Sequence, residues 1–183
     1  MSTKVTTGKV RLSYLVVDTA RAMEEGETPK FSSAILLPKL INGKPNPDIA
    51  KIDAAIEEAK LIGKSKKWQG NIPPVLKLPW RDGDVEKPED EAYKGHLFFN
   101  ASNERKPILL DMDKRPLANA SDLYSGAYAR VAINFFPFAG KSKGVAVSLE
   151  SILKLEDGES LGGGIVTYDD AVAAFSDDED DLL

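Results

Sequence analysis

Residues Gly126 to Phe138 alternate strictly between two kinds of side chain, and this pattern limits the fold more than any other stretch. One set of alternate positions is wholly apolar: Ala127, Ala129, Val131, Ile133 and Phe135. The other set is mixed: Tyr128, Arg130, Ala132, Asn134, Phe136 and Phe138. Because side chains of a β-strand point alternately to opposite faces, the pattern predicts a strand with one face against a core.

The mixed face of this strand carries aromatic rings and a guanidinium, an odd combination for a face that meets only solvent. Aromatic rings beside positive charge are typical of surfaces that stack nucleobases and neutralise phosphates. The alternative is a second layer of structure over this face, in which case the aromatic residues belong to the core. The strand alone leaves both interpretations open.

Two earlier runs, Lys9–Val17 and Lys30–Leu37, predict an antiparallel pair of strands. In the first run the basic residues Lys9 and Arg11 lie on the outer face. The opposite, inward face of that run is predicted to carry Val10, Leu12, Tyr14 and Val16.

A single convincing helix follows the second strand. Asn46 can cap it, and Pro47 suits its first position, where a missing N–H costs nothing. The helix is expected to run to about Ile62 and to end at Gly63. Its predicted buried stripe has the spacing of one helical face: Ile49, Ile52, Ile56 and Ala59.

Further strands are predicted at Lys94–Ala101 and Val145–Leu155, with Lys106–Met112 as the hairpin partner of the former. The sum is a mainly β chain of five or six strands with one inserted α-helix, which is the pattern of an OB-type barrel. Residues 1–157 are predicted to form the barrel domain, and residues 158–183 a flexible, disordered acidic tail.

Charge is divided unevenly along the chain. Residues 1–154 hold all 24 basic residues and 19 of the 29 acidic ones, a net charge of +5, whereas residues 155–183 hold ten acidic residues and no basic one. A basic body with an acidic tail favours a polyanion-binding surface and a competitor in the same chain. A tail that only improves solubility is the plainer interpretation.

The long segment from Gly63 to Gly95 contains both tryptophans, each beside positive charge. Loops of this length in a small domain are usually functional or disordered. Packing of Trp68 and Trp80 against the body is the structural alternative. The residues predicted to contact nucleic acid, on the strand and in the basic loops, are Tyr128, Arg130, Phe136, Phe138, Trp68, Trp80, Lys64, Lys66, Lys67, Arg81, Arg105, Lys106, Lys141 and Lys143.

Nothing in the sequence predicts catalysis, a metal site or a cofactor. The chain has no cysteine and only one histidine, His96, so thiolate and multi-histidine sites are excluded. The Gly-Lys-Ser runs at Gly63 and Gly140 lack the glycine five residues earlier that a phosphate-binding loop requires. Asp111 and Asp113 are a weak candidate for a metal-dependent nuclease. No apolar run is long enough to span a membrane, and no secretory signal is expected.

Two runs of this sequence, Tyr124–Phe138 and Lys143–Gly163, resemble the C-terminal half of phage-encoded single-stranded DNA-binding proteins. The strand Lys9–Val17 and the tryptophan-containing loop follow the same pattern more loosely. The resemblance implies an OB fold, sequence-independent binding of single-stranded DNA, a role in phage replication or recombination, and a location in the cytoplasm of an infected bacterium.

The acidic tail is expected to compete with DNA for the basic surface and to recruit replication or recombination proteins. The tail residues with this role are Asp177, Asp178, Glu179, Asp180, Asp181, Leu182 and Leu183. The runner-up function is a structural or protein-interaction β-barrel with a solubilising tail, and it requires the aromatic side chains of the mixed face to be buried. Whether the chain forms a homo-oligomer stays open.

Overall fold

The computed structural model describes residues 2–22 and 24–161, together with Val172 and Phe175. The strands in these residues are β1 (Lys4–Thr6), β2 (Val10–Arg21), β3 (Lys30–Pro38), β4 (Leu40–Ile41), β5 (Lys44–Pro45), β6 (Arg81–Asp82), β7 (His96–Asn103), β8 (Ile108–Leu110), β9 (Tyr128–Ala139) and β10 (Lys143–Glu156). The helices are α1 (Pro47–Lys66) and the short α2 (Gly83–Glu86), with 3₁₀ turns at Glu91–Tyr93 and Ala120–Asp122.

Five long strands close into a barrel. Strand β2 pairs with β3, β3 with β7, β7 in parallel with β10, β10 with β9, and β9 returns to β2. Short strands extend this ring, β1 on β9, β8 on β10 and β6 on β7. The closed ring, with α1 inserted between its second and third strands, confirms the predicted OB-type architecture.

The core lies inside the ring and is made by alternate residues of its strands. On β9 the predicted inward residues from Ala129 to Phe135 are all buried. One face of α1 closes the core with Ile52, Ile56 and Ala59, which belong to the same apolar cluster as Phe135. The period-two and helical patterns therefore predicted two of the elements that build the core.

The start of α1 is as predicted, but its end is not. The Asn46 side chain accepts a hydrogen bond from the Asp48 N–H at 3.0 Å, which is the expected cap. Gly63 does not end the helix, which continues to Lys66. Gly63 is buried within the helix. A Cβ at this position would lie 2.7 Å from the Trp68 ring and 2.8 Å from Pro137, so the glycine allows close packing and does not form a turn.

The predicted hairpin after β7 is wrong. Strand β8 pairs in parallel with β10, through Ile108 opposite Ser151 and Leu110 opposite Leu153. The bend at Glu104–Arg105 leads the chain beyond the end of β7, and β8 continues along the same edge of β10, because β9 occupies the other edge. Local sequence does not specify this pairing.

The predicted inward face of β2 is wrong from Tyr14 onward, where Val17 and not Val16 belongs to the core. Tyr14 has a φ of 50° and is 66% exposed, while Ser13 beside it is buried. The register of β2 against β3 shifts between Ser13 and Val16, which marks a bulge. A bulge inserts an extra residue and so reverses which side chains face the core.

We expect Gly63→Ala to lower the free energy of unfolding by about 1–3 kcal/mol, because overpacking outweighs the helical preference for alanine. Urea denaturation measures the change. Gly140→Ala is the matched control, since a Cβ at Gly140 meets nothing within 4 Å. Equal or greater stability of Gly63→Ala would show that the helix does not pack as closely as described.

Candidate nucleic-acid interface

The outer face of β9 is only partly open to solvent. Arg130 is exposed and Phe136 is 39% exposed, whereas Tyr128 and Phe138 are half-buried. Tyr128 and Phe136 lie eight positions apart on one strand, which corresponds to about 26 Å. The predicted aromatic face is thus two separate places: the hairpin end, around Phe136, Phe138 and the β9–β10 turn, and the seam cluster of Lys9, Arg11 and Tyr128, where β2 meets β9.

Trp68 connects α1 to the hairpin end from inside the core. It is only 3% exposed, and its Nε1–H donates to the Phe138 carbonyl oxygen at 3.1 Å. The burial corrects its assignment as a stacking residue, because its ring packs in the core and not at the surface. By fixing the end of α1 to β9, Trp68 brings Lys64, Lys66 and Lys67 to the β9–β10 turn.

A segment that sequence analysis treated as a loop fills the space between β7 and β10. The Lys77 N–H donates to the Lys143 carbonyl and the Val145 N–H donates to the Lys77 carbonyl, both at 2.9 Å. Lys77 lies opposite Gly144, where a Cβ would be 2.2 Å from the Lys77 carbonyl oxygen. Lys77 therefore joins the hairpin end, although only its charge marks it in the sequence.

Trp80 and Arg81 follow Lys77 in this segment, and both side chains already contact other residues. Trp80 is half-buried, contacts Phe99 edge-on at 5.6 Å and donates its Nε1–H to Asp53 at 2.7 Å. Arg81 is exposed but forms an ion pair with Glu86 at 2.8 Å. Both side chains already have partners, so they are weaker candidates for DNA contacts than the lysines beside them.

The lysines gathered at the hairpin end form what we call the lysine cluster. All of its members are exposed, and in the described part of the chain no member has an ion pair. The members are Lys64, Lys66, Lys67, Lys77, Lys141 and Lys143. Unpaired like charges raise the local positive potential, which attracts a polyanion.

Arg105 and Lys106 do not join this cluster. They follow the C-terminal end of β7, which runs parallel to β10, and β10 begins at the hairpin end with Lys143. The two basic residues are exposed but lie toward the opposite end of these strands. They stay a predicted contact only for a nucleic acid that crosses the whole sheet.

The seam cluster has a different character, because its charges are already engaged. Lys9 Nζ lies 4.6 Å and the Arg11 guanidinium carbon 5.2 Å from the Tyr128 ring centre. Arg11 donates from Nε to the Gly126 carbonyl at 3.0 Å and from Nη2 to the Glu159 carbonyl at 2.7 Å. Arg130, farther along β9, donates to the Thr7 carbonyl at 2.9 Å.

An acidic segment, residues 82–93, covers the outer face of β2, β3 and β7. Tyr93 packs there on Leu36 and Phe98, and its hydroxyl donates to Ser13 at 3.0 Å, while burial raises the pKa of Tyr93. The segment begins at carboxylates that pair with Lys39. The hydrogen bonds to Asp82 and Asp84 raise the pKa of Lys39, and Lys39 in turn lowers the pKa of Asp84.

Tyr14 is the exposed aromatic residue that sequence analysis placed in the core. Lys87 Nζ lies 5.4 Å from its ring centre. The residues that flank Lys87 in the sequence include four acidic ones: Glu86, Glu89, Asp90 and Glu91. These carboxylates repel phosphates, so we leave Tyr14 out of the nucleic-acid interface.

The described residues contain no group of three or more His, Asp or Glu side chains that could hold a metal ion. In the candidate pair, the Asp111 carboxylate accepts hydrogen bonds from the N–H groups of Asp113 and Arg115, at 2.9 and 3.0 Å. Asp111 therefore stabilises its own turn.

Among the described residues, no helix is long and apolar enough to cross a bilayer. The tail residues from Asp177 to Leu183 lie outside the described part.

Comparison with known proteins places this geometry in a family. Residues 3–183 match the family described as "Enterobacter phage Enc34, ssDNA-binding protein". The chain belongs to this family. The match confirms the resemblance noted in the sequence and extends it to nearly the whole chain.

Solved structures of phage proteins share the fold. The single-stranded DNA-binding protein of bacteriophage Enc34, solved in complex with single-stranded DNA, has a TM-score of 0.74 and 29% identity, covering 87% of this chain and 90% of that one. A second structure of the same phage protein has a TM-score of 0.70 and 29% identity, covering 93% of this chain and 90% of that one. The single-stranded DNA-binding protein gp2.5 of bacteriophage T7 has a TM-score of 0.61, covering 88% and 96%; at 12% identity it shows the fold alone.

A curated relative adds a second phage source. Protein p50 of Acyrthosiphon pisum secondary endosymbiont phage 1 is 32% identical over 105 residues. The match covers 56% of this chain and 56% of that protein, so the chain spans little more than half of the relative's length.

We expect Phe136→Ala to weaken binding of single-stranded DNA about 5- to 150-fold, because it removes one base–aromatic stack worth about 1–3 kcal/mol. Fluorescence anisotropy of labelled oligo-dT measures the affinity. Ile108→Ala is the control, because Ile108 is an exposed apolar residue of β8, away from the lysine cluster. Equal effects of the two substitutions would remove Phe136 from the interface.

We expect the double variant Lys66→Ala, Lys67→Ala to reduce the slope of log affinity against log salt by about 0.7 for each lysine that binds a phosphate in the unmodified protein. The charge-matched control is Lys44→Ala, Lys51→Ala, because these exposed lysines lie on β5 and in the first half of α1. If the slope is unchanged in the Lys66, Lys67 variant, the end of α1 does not contact DNA.

Proposed function

We propose that this protein binds single-stranded DNA without sequence preference and has no enzymatic activity. The hairpin end carries the argument, because it holds a partly exposed phenylalanine and exposed lysines that have no ion pair among the described residues. Lysines track the phosphates and the ring stacks any base, which needs no sequence readout. The related Enc34 protein, solved with single-stranded DNA, supports the proposal.

The runner-up, a barrel that binds only proteins, requires the mixed face of β9 to be covered. Phe136 and Arg130 are exposed, which favours DNA binding, whereas the half-buried Tyr128 and Phe138 are compatible with either function.

A direct test compares labelled oligo-dT, a mixed-sequence single strand and a duplex by anisotropy over a series of salt concentrations. We expect similar affinities for the two single strands, weaker binding of the duplex, and affinity that falls as salt rises, since bound phosphates release counterions. No binding of either single strand at low salt would refute the proposed function.

We further propose that the protein acts in phage replication or recombination, in the cytoplasm of the infected cell, with the acidic tail as regulator. The support is the charge division between residues 1–154 and 155–183. A tethered anion acts at a high effective concentration, about millimolar for a short linker, so weak contacts suffice for competition. In this proposal DNA displaces the tail, which then binds replication or recombination proteins through Leu182 and Leu183.

The boundary between barrel and tail, placed after residue 157, stays a prediction. Gly158 and Leu161 still contact the barrel, since Leu161 packs beside Tyr93 and Phe98. Any free tail would therefore begin after these residues.

We expect truncation after Phe175 to tighten oligo-dT binding at low salt and to change it little at high salt. Exposed charges are screened beyond about 10 Å at 0.1 M salt, so the tail competes only when screening is weak. Titrations of both chains at low and high salt measure this. Equal affinities at low salt would remove the competition, and a tail that only aids solubility would show itself as increased aggregation of the truncated chain.

A further inference from the structure

The chain that leaves β10 does not turn away from the barrel but crosses it. Residues 156–161, which we call the strap, pass over the start of β9 and of β2, and beyond Glu156 they form neither strand nor helix. The Leu161 N–H donates to the Ser125 carbonyl at 3.0 Å, and the Gly158 N–H donates to the Tyr124 hydroxyl oxygen at 3.1 Å.

Each member of the seam cluster is in contact with the strap. The Glu156 carboxylate forms an ion pair with Lys9. The Glu159 carbonyl oxygen accepts from Arg11 Nη2 at 2.7 Å. Gly158 lies against the Tyr128 ring, so closely that a Cβ on Gly158 would be 2.8 Å from Cε2 and 3.1 Å from Cδ2.

These three contacts have the chemistry of a bound nucleotide. The Glu156 carboxylate contacts Lys9 as a phosphate would. The Glu159 carbonyl oxygen contacts the Arg11 guanidinium as a second phosphate oxygen or a base oxygen would. The peptide of Gly158 covers the aromatic ring as a nucleobase would in a stack. The strap thus fills a cationic and aromatic site with atoms of the protein itself.

Beyond Glu156, the strap has one backbone hydrogen bond to the barrel, from the Leu161 N–H, and its other contacts involve side chains, which makes it displaceable. Leu161 packs on the cluster that includes Tyr93, and the Tyr124 hydroxyl lies 3.0 Å from both Asp157 Oδ1 and the Gly158 carbonyl oxygen. Hydrogen bonds from Lys154 and then from Tyr124 lower the pKa of Asp157, so its carboxylate is ionised at neutral pH.

We infer that Lys9, Arg11 and Tyr128 form a second nucleotide subsite, which the strap fills in the free protein and which single-stranded DNA opens when it is long enough to extend from the hairpin end to the seam. The inference depends on the proposed DNA binding at the hairpin end. Because the two places are about 26 Å apart along β9, a short oligonucleotide reaches only one of them.

The test uses the full chain and a variant that lifts the strap. A Cβ on Gly158 would lie 2.1 Å from the Gly126 carbonyl oxygen, so Gly158→Ala prevents the strap from docking. Val85→Ala is the control, because Val85 is an exposed residue of α2, in the acidic segment outside the proposed interface. We expect Gly158→Ala to bind oligo-dT of about 16 nucleotides at least about five-fold more tightly and oligo-dT of about 4 nucleotides no differently, the range of site sizes for one OB barrel.

A double-mutant cycle with Arg11→Ala identifies the subsite. In the wild-type background, Arg11→Ala changes affinity for the long oligonucleotide little, because it removes both the contact with DNA and the Glu159 contact that DNA must break. In the Gly158→Ala background the same substitution should remove most of the gain. Equal effects of Arg11→Ala in both backgrounds would overturn the inference.

Hydrogen exchange gives an independent readout in the unmodified protein. The Leu161 and Gly158 amides, bonded to Ser125 and Tyr124, should exchange faster when the long oligonucleotide is bound and not when the short one is. Unchanged exchange with the long oligonucleotide would refute displacement of the strap.

If Gly158→Ala does not fold, Tyr124→Phe removes the hydroxyl contacts at nearly constant volume and replaces it in the binding experiments. Binding of both oligonucleotides by the wild type, without coupling in the cycle, refutes the subsite and leaves the proposed function intact.

Discussion

Closure of the barrel depends on β9, which pairs with β10 along its whole length but with β2 through only two residue pairs, Val10 with Ala129 and Arg11 with Tyr128. A sheet that closes has no free edge, so these pairs remove the two ends that an open sheet would expose. Because the seam is so short, other contacts must hold the strands together. Hydrogen bonds of the Leu12 backbone with Gly126 and Ala127, and of the Leu15 N–H with the Ser125 hydroxyl, provide them.

The same strand also organises the charge of the surface. Its far end carries the carbonyl oxygen that receives Trp68, and its turn carries the lysines that meet Lys77. The tryptophan acts here through the core: it fixes the end of α1, and the position of α1 fixes the lysines that follow Gly63. A residue with almost no access to solvent therefore determines where the positive potential lies.

Sequence reasoning succeeded where local chemistry decides the structure. Asn46 and Pro47 specify the start of α1, and strict alternation specifies β9, because neither depends on distant residues. It failed where tertiary contacts decide. Gly63 has the residue type of a helix end, but its role is set by Trp68 and Pro137. The bulge at Tyr14 and the parallel pairing of β8 have no local signal, since both follow from how β2 and β10 meet their neighbours. For the candidate site, charge indicated the lysines, but only the fold separates them from Arg105 and Lys106.

The hairpin end and the seam differ in how their charges are balanced. At the seam, the Glu156 carboxylate and the Glu159 carbonyl oxygen contact Lys9 and Arg11. At the hairpin end, the described residues provide no carboxylate within ion-pairing distance of the lysine cluster.

An approaching polyanion is therefore attracted first to the hairpin end, where its phosphates replace only water and counterions. Contacts at the seam require the strap to leave, which costs the interactions that hold it. In the proposed binding mode, a strand of DNA held at the hairpin end meets that cost as an intramolecular step, at the high effective concentration that tethering gives. The physical asymmetry of two cationic sites on one strand then gives the proposed binding a direction, from the turn of β9 toward its start.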